Sequence, residues 1–339
     1  MKVAKNHSLK TFNTFGVEAS AGLMLTLENE EDLLSLPPFD PGRDFILGGG
    51  SNVLFSTDVP GTVIHNRITG REIVKTGDDH AWVEAGAGEN WHELVRWTLK
   101  NGLSGLENLS LIPGLAGAAP IQNIGAYGVE LAAVLEGVTA WDLSRSMWKT
   151  FSQEDCELAY RDSRFKSAEP NRFLITSIRL RLDRQYRPQL GYAGLREKFS
   201  RLNIRHATAI DVSDAVIRLR QSKLPDPSST GNAGSFFKNP ALKQDESEAL
   251  LARFPELPAW PQDDGSIKLS AAWMIEHCGL KGYRTGDAGI SDQHALVIVN
   301  HGSASGEEIL QLARTIQSTV HDTFGITLEA EPRIIDFSM

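Results

Sequence analysis

Residues 112–128 read I-P-G-L-A-G-A-A-P-I-Q-N-I-G-A-Y-G, and they contain four glycines, four alanines and two prolines. No residue from 108 to 129 is charged, although 23% of the chain is. The stretch has neither the period of an amphipathic helix nor the alternation of a half-buried strand. Gly114, Gly117, Gly125 and Gly128 let a backbone turn tightly and approach a ligand closely. Gln122 and Asn123 carry amide donors and acceptors suited to a flat polar ring. Two readings are open from these residues alone: a tightly packed loop under a lid, or a loop that cradles a ligand.

Outward from this loop, 339 residues predict two or three domains with ample core volume. A hydrophobic content of 41% fits an ordinary soluble protein. A net charge of −9 argues against free nucleic acid as a partner, so an anionic ligand needs local basic residues and backbone N–H groups. Cys156 and Cys278 are the two cysteines, without a C-x-x-C, and signal neither a disulfide framework nor a zinc site. Two buried free thiols are the favoured state, over one structural disulfide. The start, M-K-V-A-K-N-H-S-L-K, has no signal-peptide core, and no 18-residue apolar window is present. The expectation is a soluble cytoplasmic protein without a membrane partner.

Along the chain, residues 23–27 read as a strand, and 29–36 as a short acidic helix stopped by Pro37-Pro38. Phe45–Leu47 reads as a strand running into Gly48-Gly49-Gly50-Ser51-Asn52, followed by strands at 62–65 and 81–84. Asn90 caps a helix to Lys100, with Trp91, Leu94, Val95 and Leu99 near helical spacing. Residues 138–143 and 147–151 form a hairpin around Ser144-Arg145. Residues 173–182 alternate, with Leu174, Ile178, Leu180 and Leu182 set against Thr176, Arg179 and Arg181. A helix at 211–224 is closed by Pro225-Asp226-Pro227, the clearest domain boundary. Then come a helix at 271–278 capped by Ser270, a strand at 295–299, and a helix Gly306–Phe324 with Ser305 and Glu308 as capping box. A final strand over 326–335 places Glu329, Glu331 and Arg333 on one face. The order is mixed α+β, without a βαβα rhythm.

Each motif is ambiguous by itself. Gly48–Asn52 offers successive N–H groups to an anion, but matches neither the Rossmann nor the P-loop fingerprint and equals a plain strand-ending turn. His92-Glu93 begins like a zinc-protease helix, yet Arg96 stands where the second histidine belongs, so no metal is expected. Y-R-D-S-R-F at 160–165 is dense in charge, which is ordinarily a solvated surface. In G-N-A-G-S-F-F-K-N-P, residues 231–240, Ser235 lies between glycines and two phenylalanines, where a hydroxyl can be desolvated and oriented; it lacks G-x-S-x-G. Glu331 fits a general acid or a strand salt bridge.

Taken together and in order, L-G-G-G-S-N-V-L at 47–54, residues 112–128, A-Y-R-D-S-R-F-K at 159–166, K-L-P-D-P at 223–227 and residues 231–240 closely resemble the UDP-N-acetylenolpyruvoylglucosamine reductase family. The resemblance runs from about Thr11 to Arg333. It implies a vanillyl-alcohol-oxidase/PCMH-like FAD-binding fold of two subdomains plus a C-terminal α+β substrate-binding domain. The implied limits are 1–75 and 76–220 for the FAD-binding subdomains, the second joined by strand 328–339, and 221–327 for the substrate domain. It implies noncovalent FAD, NADPH as hydride source, UDP-N-acetylglucosamine-enolpyruvate as substrate, and a monomer. G-Y-A-G at 191–194 resembles the tyrosine loop of the family's longer type. Where the family usually has Glu-Val-Arg, this chain has Glu331-Pro332-Arg333, and a proline removes a strand donor.

By resemblance the catalytic residues are Arg161, Ser235 and Glu331. The flavin site is Gly48, Gly49, Gly50, Ser51, Asn52, Val53, Ile112, Pro113, Gly114, Gly117, Gln122, Asn123, Gly125, Ala126, Gly128 and Arg333. Tyr127, Tyr192, Lys223, Asn239 and Gln293 are the substrate contacts. Two other readings are less consistent with these residues. A His-tethered oxidase of the same fold is disfavoured by the histidine-free turn G-G-G-S-N. A nucleotide-sensing binder has no use for a proton donor.

Overall fold

The computed structural model describes residues 1–201, 207–262 and 264–338. The chain divides into two compact units. One comprises Met1–His7, Ala21–Gly50 and Val59–Ser222; the other comprises Ser8–Ser20, Ser51–Asp58 and Lys223–Met339.

The first unit holds two sheets. In a four-stranded sheet the order is Lys2–Ser8, Ser20–Leu27, Val59–Asn66, Phe45–Leu47, and the last three run parallel. Strands of this kind are covered on both faces. Accordingly Val63, Ile64 and Leu47 are almost fully buried, and sequence alternation is weak there. The second sheet is antiparallel, in the order Met147–Ser152, Leu135–Asp142, Phe173–Asp183, His80–Gly86, Arg71–Thr76. Helix Trp91–Lys100 packs Trp91, Leu94, Val95 and Leu99 into one core with Val83, Leu180 and Leu182. Each such side chain contributes roughly 1.5–3 kcal/mol by leaving water. Asn90 caps the helix, accepting from Glu93 N at 3.0 Å.

Two expectations change here, and two strands are new. Residues expected as a short helix at 29–36 form a 3₁₀ segment, Glu30–Ser35, still capped by Asn29. Thr176, set on the polar side in sequence, is buried, and its hydroxyl donates to Thr139 O at 3.2 Å. The edge strands Lys2–Ser8 and Arg71–Thr76 gave no sequence signal, because both are largely exposed and polar.

The second unit is built on an antiparallel sheet in the order Gly231–Ser235, Val297–Asn300, Ala288–Ile290, Arg284–Thr285. Helix Gly306–Phe324 lies against this sheet and against Ala271–His277. Its capping box is present, with Ser305 and Glu308 bonding reciprocally. Residues 8–20 belong to this unit: Asn232 N donates to Thr14 O at 3.0 Å, and Asn300 Nδ2 to Phe15 O at 3.0 Å.

The final strand is shorter than its sequence suggested. Only Arg333–Ile335 is a strand, paired in parallel with Val53–Phe55. The resemblance had attached this strand to 76–220. Upstream, Ala330 bridges Phe237 instead. Pro332 stands where the chain changes partners, so its missing N–H interrupts no ladder. Both cysteines are reduced; Cys156 is buried and Cys278 half-buried. Among the described residues no helix is long and apolar enough to cross a membrane.

Candidate active site

The 112–128 loop folds onto the turn after His80–Gly86. Trp91 N donates to Gly114 O at 3.1 Å, Ala116 N to Glu89 O at 2.8 Å, and Gly117 N to Ala87 O at 2.9 Å. Side chains at two glycines would break this seat. A Cβ on Gly117 would lie 2.3 Å from Ala87 Cβ, and one on Gly49 would lie 3.0 Å from Gly114 Cα. The run Gly48–Gly50 and the long loop therefore meet backbone to backbone. Ile112 and Ile121 pack against the main core. The result is a cradle of uncharged backbone in contact with a second glycine turn, which fits a flavin dinucleotide's pyrophosphate and ring.

The far end of the loop is a two-residue hairpin. Gly125–Ala126 pairs with Val129–Glu130, and the tip residues Tyr127 and Gly128 have φ of 51° and 82°. Two positive φ values are the signature of a type I′ turn. Tyr127 stacks edge-on against Tyr192 at 5.0 Å between ring centroids, and its carbonyl accepts from Asn108 Nδ2 at 2.9 Å. The two tyrosines expected as substrate contacts are thus in contact with each other.

Arg161 reaches the same hairpin, its Nη2 donating to Gly125 O at 2.7 Å. It is half-buried and lies at the tip of a turn closed by reciprocal bonds between Ala159 and Asp162. Its φ is 55°, a conformation that costs a non-glycine residue about 1–2 kcal/mol. Lys166 Nζ donates to the Arg161 carbonyl at 3.0 Å.

Two residues that the motifs did not expose join this cluster. Arg220 is deeply placed, and its Nε donates to Leu111 O at 3.1 Å. Burial is the main force lowering its pKa; Tyr127 opposes that shift and Arg161 adds to it, so all three side chains share one electrostatic neighbourhood. His92 Nδ1 accepts from Leu111 N at 3.0 Å. Leu111 itself has φ of 59°. Its peptide groups are therefore held on both sides just before the loop begins. The only sequence hint was an arginine inside an otherwise ordinary helix, Ala209–Lys223, and a histidine in a failed metal motif.

Asn123, expected among the flavin residues, has its side chain turned into the protein and is 1% exposed. Its Nδ2 donates to Glu130 Oε2 at 2.9 Å and to Ala159 O at 3.1 Å, and its Oδ1 accepts from Ala132 N at 3.0 Å. The amide shapes the loop from behind.

In the second unit, Ser235 ends its strand opposite Val297, after a bulge that contains Gly234 at φ 72°. Phe236 N donates to Leu296 O at 2.7 Å, and Phe236 O accepts from Glu331 N at 2.8 Å. Ser235 and Glu331 are thereby set on adjoining stretches of chain. Phe236 and Phe237 are each 1% exposed, which anchors that register. Asn52 joins the same region: its Nδ2 donates to Glu331 O at 3.3 Å, and its carbonyl accepts from Arg333 N at 3.0 Å. Ser51, Asn52 and Val53 thus belong with Glu331 and Arg333, while Gly48–Gly50 belong with the first unit. Asn239 Oδ1 accepts from Ala271 N at 3.0 Å, so part of its amide secures a helix start. Lys223 and Gln293 are exposed; burial first and then Lys223 lower the pKa of His294.

A family model described as "FAD binding domain" matches residues 44–149, which contain both glycine elements. A second, "UDP-N-acetylenolpyruvoylglucosamine reductase, C-terminal domain", matches 226–335. The UDP-N-acetylenolpyruvoylglucosamine reductase of Flavobacterium johnsoniae is 44% identical over 337 residues, covering 99% of this chain and 100% of that protein. That of Chromobacterium violaceum is 47% identical over 331 residues, covering 96% and 97%. The chain belongs to the UDP-N-acetylenolpyruvoylglucosamine reductase family. The crystal structure of the Thermus caldophilus reductase aligns over 99% of this chain and 98% of its own, at 27% identity and a TM-score of 0.69. Membership makes the chain an oxidoreductase with the FAD-binding fold expected above, followed by a C-terminal α+β domain.

Proposed function

We propose that the protein reduces UDP-N-acetylglucosamine-enolpyruvate to UDP-N-acetylmuramate, a peptidoglycan precursor, with NADPH as hydride source and noncovalent FAD as carrier. When bound, FAD supplies a hydride acceptor and donor at its N5. The uncharged cradle of Gly48–Gly50 with Gly114 and Gly117 is the surface that would hold it.

The chain's own residues do the rest. Hydride addition to the terminal vinyl carbon builds negative charge on the enol carboxylate. Arg161 and protonated Glu331 stabilise that charge, where exclusion of water strengthens them. Ser235 delivers the proton to the adjacent carbon. A serine hydroxyl is a weak acid, so it serves only against a strongly basic enolate and only when aimed at it. Tyr127, Tyr192, Lys223, Asn239 and Gln293 hold the UDP-sugar, Lys223 as a point charge for phosphate. NADPH and the UDP-sugar are both polyanions, and their use of one pocket in turn gives ping-pong kinetics. The same reading makes the enzyme a cytoplasmic monomer of three parts, with limits at 1–75, 76–220 and 221–327.

The observation that supports this reading is the backbone bond from Glu331 N to Phe236 O at 2.8 Å, which joins the chain at the proposed acid to the residue after the bulged serine. Ser235→Ala tests it. NADPH should still bleach the flavin at the wild-type rate, while reoxidation by the enolpyruvyl substrate slows by roughly 10²–10⁴-fold. Two fast half-reactions would remove Ser235 as the acid.

A further inference from the structure

We infer that Asn123 is a positioning residue for Arg161, holding the turn that carries the guanidinium in register with the 112–128 loop. The inference rests on the functional reading above, in which Arg161 stabilises the enolate.

Arg161 has two kinds of support. Its head is fixed by the bond to Gly125 O, 2.7 Å away. Its backbone is held in a strained left-handed turn, φ 55°, and a strained turn persists only if its ends are tied. One end is Ala159, whose carbonyl accepts from Asn123 Nδ2 at 3.1 Å. Just beyond the other end, Ser163 Oγ donates to Ile121 O at 2.7 Å. Both ties run to the loop segment 121–123, and Asn123 supplies one of them with its side chain.

Asn123 is suited to this and to little else. Its own φ is 44°, a left-handed position that asparagine tolerates better than most residues. Its amide is buried and uses both donors, one to Ala159 O and one to Glu130 Oε2, while its oxygen accepts from Ala132 N. Glu130 lies in the strand facing Gly125–Ala126, the strand whose Gly125 carbonyl receives Arg161. One planar amide therefore fixes the turn that bears the arginine and the hairpin that receives it. Aspartate has the same shape and keeps the acceptor, but turns an oxygen toward Ala159 O.

The test exchanges donor and acceptor. In Asn123→Asp/Glu130→Gln the pair at 123 and 130 can hydrogen-bond again with roles reversed, and Ala132 N keeps its acceptor. The tie to Ala159 O alone is lost. Flavin content and the rate of bleaching by NADPH should match wild type. Reoxidation by UDP-N-acetylglucosamine-enolpyruvate should slow by about 10²-fold, the usual effect of a misplacement near 1 Å. Asn123→Gly, which keeps the left-handed backbone and removes the whole amide, should show the same split. Wild-type reoxidation in either variant overturns the inference. So does an equal fall of both half-reactions in both variants, which would make Asn123 a general clasp for the fold. If wild-type enzyme is itself not reoxidised by this substrate, the functional reading fails, and the inference falls with it.

Discussion

Replacing Gly117 by alanine adds one methyl group where the long loop rests on the turn after His80–Gly86. The new Cβ would stand 2.3 Å from Ala87 Cβ, 3.0 Å from Ala87 Cα and 3.3 Å from Ala87 O. Carbon atoms in contact prefer about 3.5–4.0 Å, so the loop must lift by more than about 1 Å. Overpacking of this kind costs about 1–3 kcal/mol. Lifting also stretches the bonds from Gly117 N to Ala87 O, 2.9 Å, and from Ala116 N to Glu89 O, 2.8 Å. Each is worth about 1 kcal/mol, so the combined loss is about 3–5 kcal/mol. Because the same loop is the proposed flavin cradle, FAD affinity should fall with it. Gly128→Ala is the matched control. There the Cβ finds its nearest neighbour at 3.9 Å, and the φ of 82° alone penalises alanine, by about 1–2 kcal/mol. Urea unfolding with flavin absorbance as a second signal separates the two. Gly117→Ala with stability within 1 kcal/mol of wild type and full FAD content would refute the claim that this contact seats the loop.

Two further expectations concern pH. His92 accepts from Leu111 N, so the clasp needs the neutral ring; burial first, then Arg96 and Arg220 against Glu93, lower its pKa below 6.5. A folded pKa below the unfolded one means that the clasp is whole above pH 6.5 and is lost as pH falls through the lowered value. FAD affinity, read by flavin fluorescence between pH 7.5 and 5.5, should therefore drop more in wild type than in His92→Gln, which accepts without titrating. Asp142 is buried, which raises its pKa, but Arg172 at 2.8 Å and Ser144 outweigh this and hold it at about 2. Its contribution is present above about 3.8 and fades toward about 2, so Arg172→Met should remove part of the acid-limb stability measured over that window.

The parts of the fold that sequence revealed are those whose signal is local. Asn90, Ser270 and the Ser305–Glu308 box marked helix starts correctly, because a cap bonds within three residues. The alternation of 173–182 marked the central strand through its second half, where Arg179 and Arg181 are exposed between buried Ile178, Leu180 and Leu182; residues 173–178 are buried on both faces. What stayed hidden depends on distant partners. Nothing near residues 8–20 shows that Thr14 and Phe15 supply carbonyls to Asn232 and Asn300. Nothing near Asn123 shows that Ala159 and Glu130 will claim its amide. Arg220 had no motif, and its position follows only from the helix that carries it past Leu111.

The three proposed catalytic residues share a feature that explains why periodicity could not find them. Arg161 lies in a left-handed turn, Ser235 follows a bulge with Gly234 at φ 72°, and Glu331 precedes the proline at which the chain leaves Phe236 for Asn52. A regular strand would send alternate side chains to fixed faces and give each backbone N–H a ladder partner. A bulge or a partner change re-aims one side chain without moving its neighbours. Phe236 and Phe237 stay in the core while Ser235, one residue earlier, is half-exposed. Glu331 keeps its N–H bonded while the next residue has none to lose. Pro332, which looked damaging for a continuous strand, is therefore compatible with the acid's placement. Restoring valine there should leave the Glu331 N to Phe236 O bond unchanged, because that bond is made before the interruption and Arg333 already has its own acceptor in Asn52.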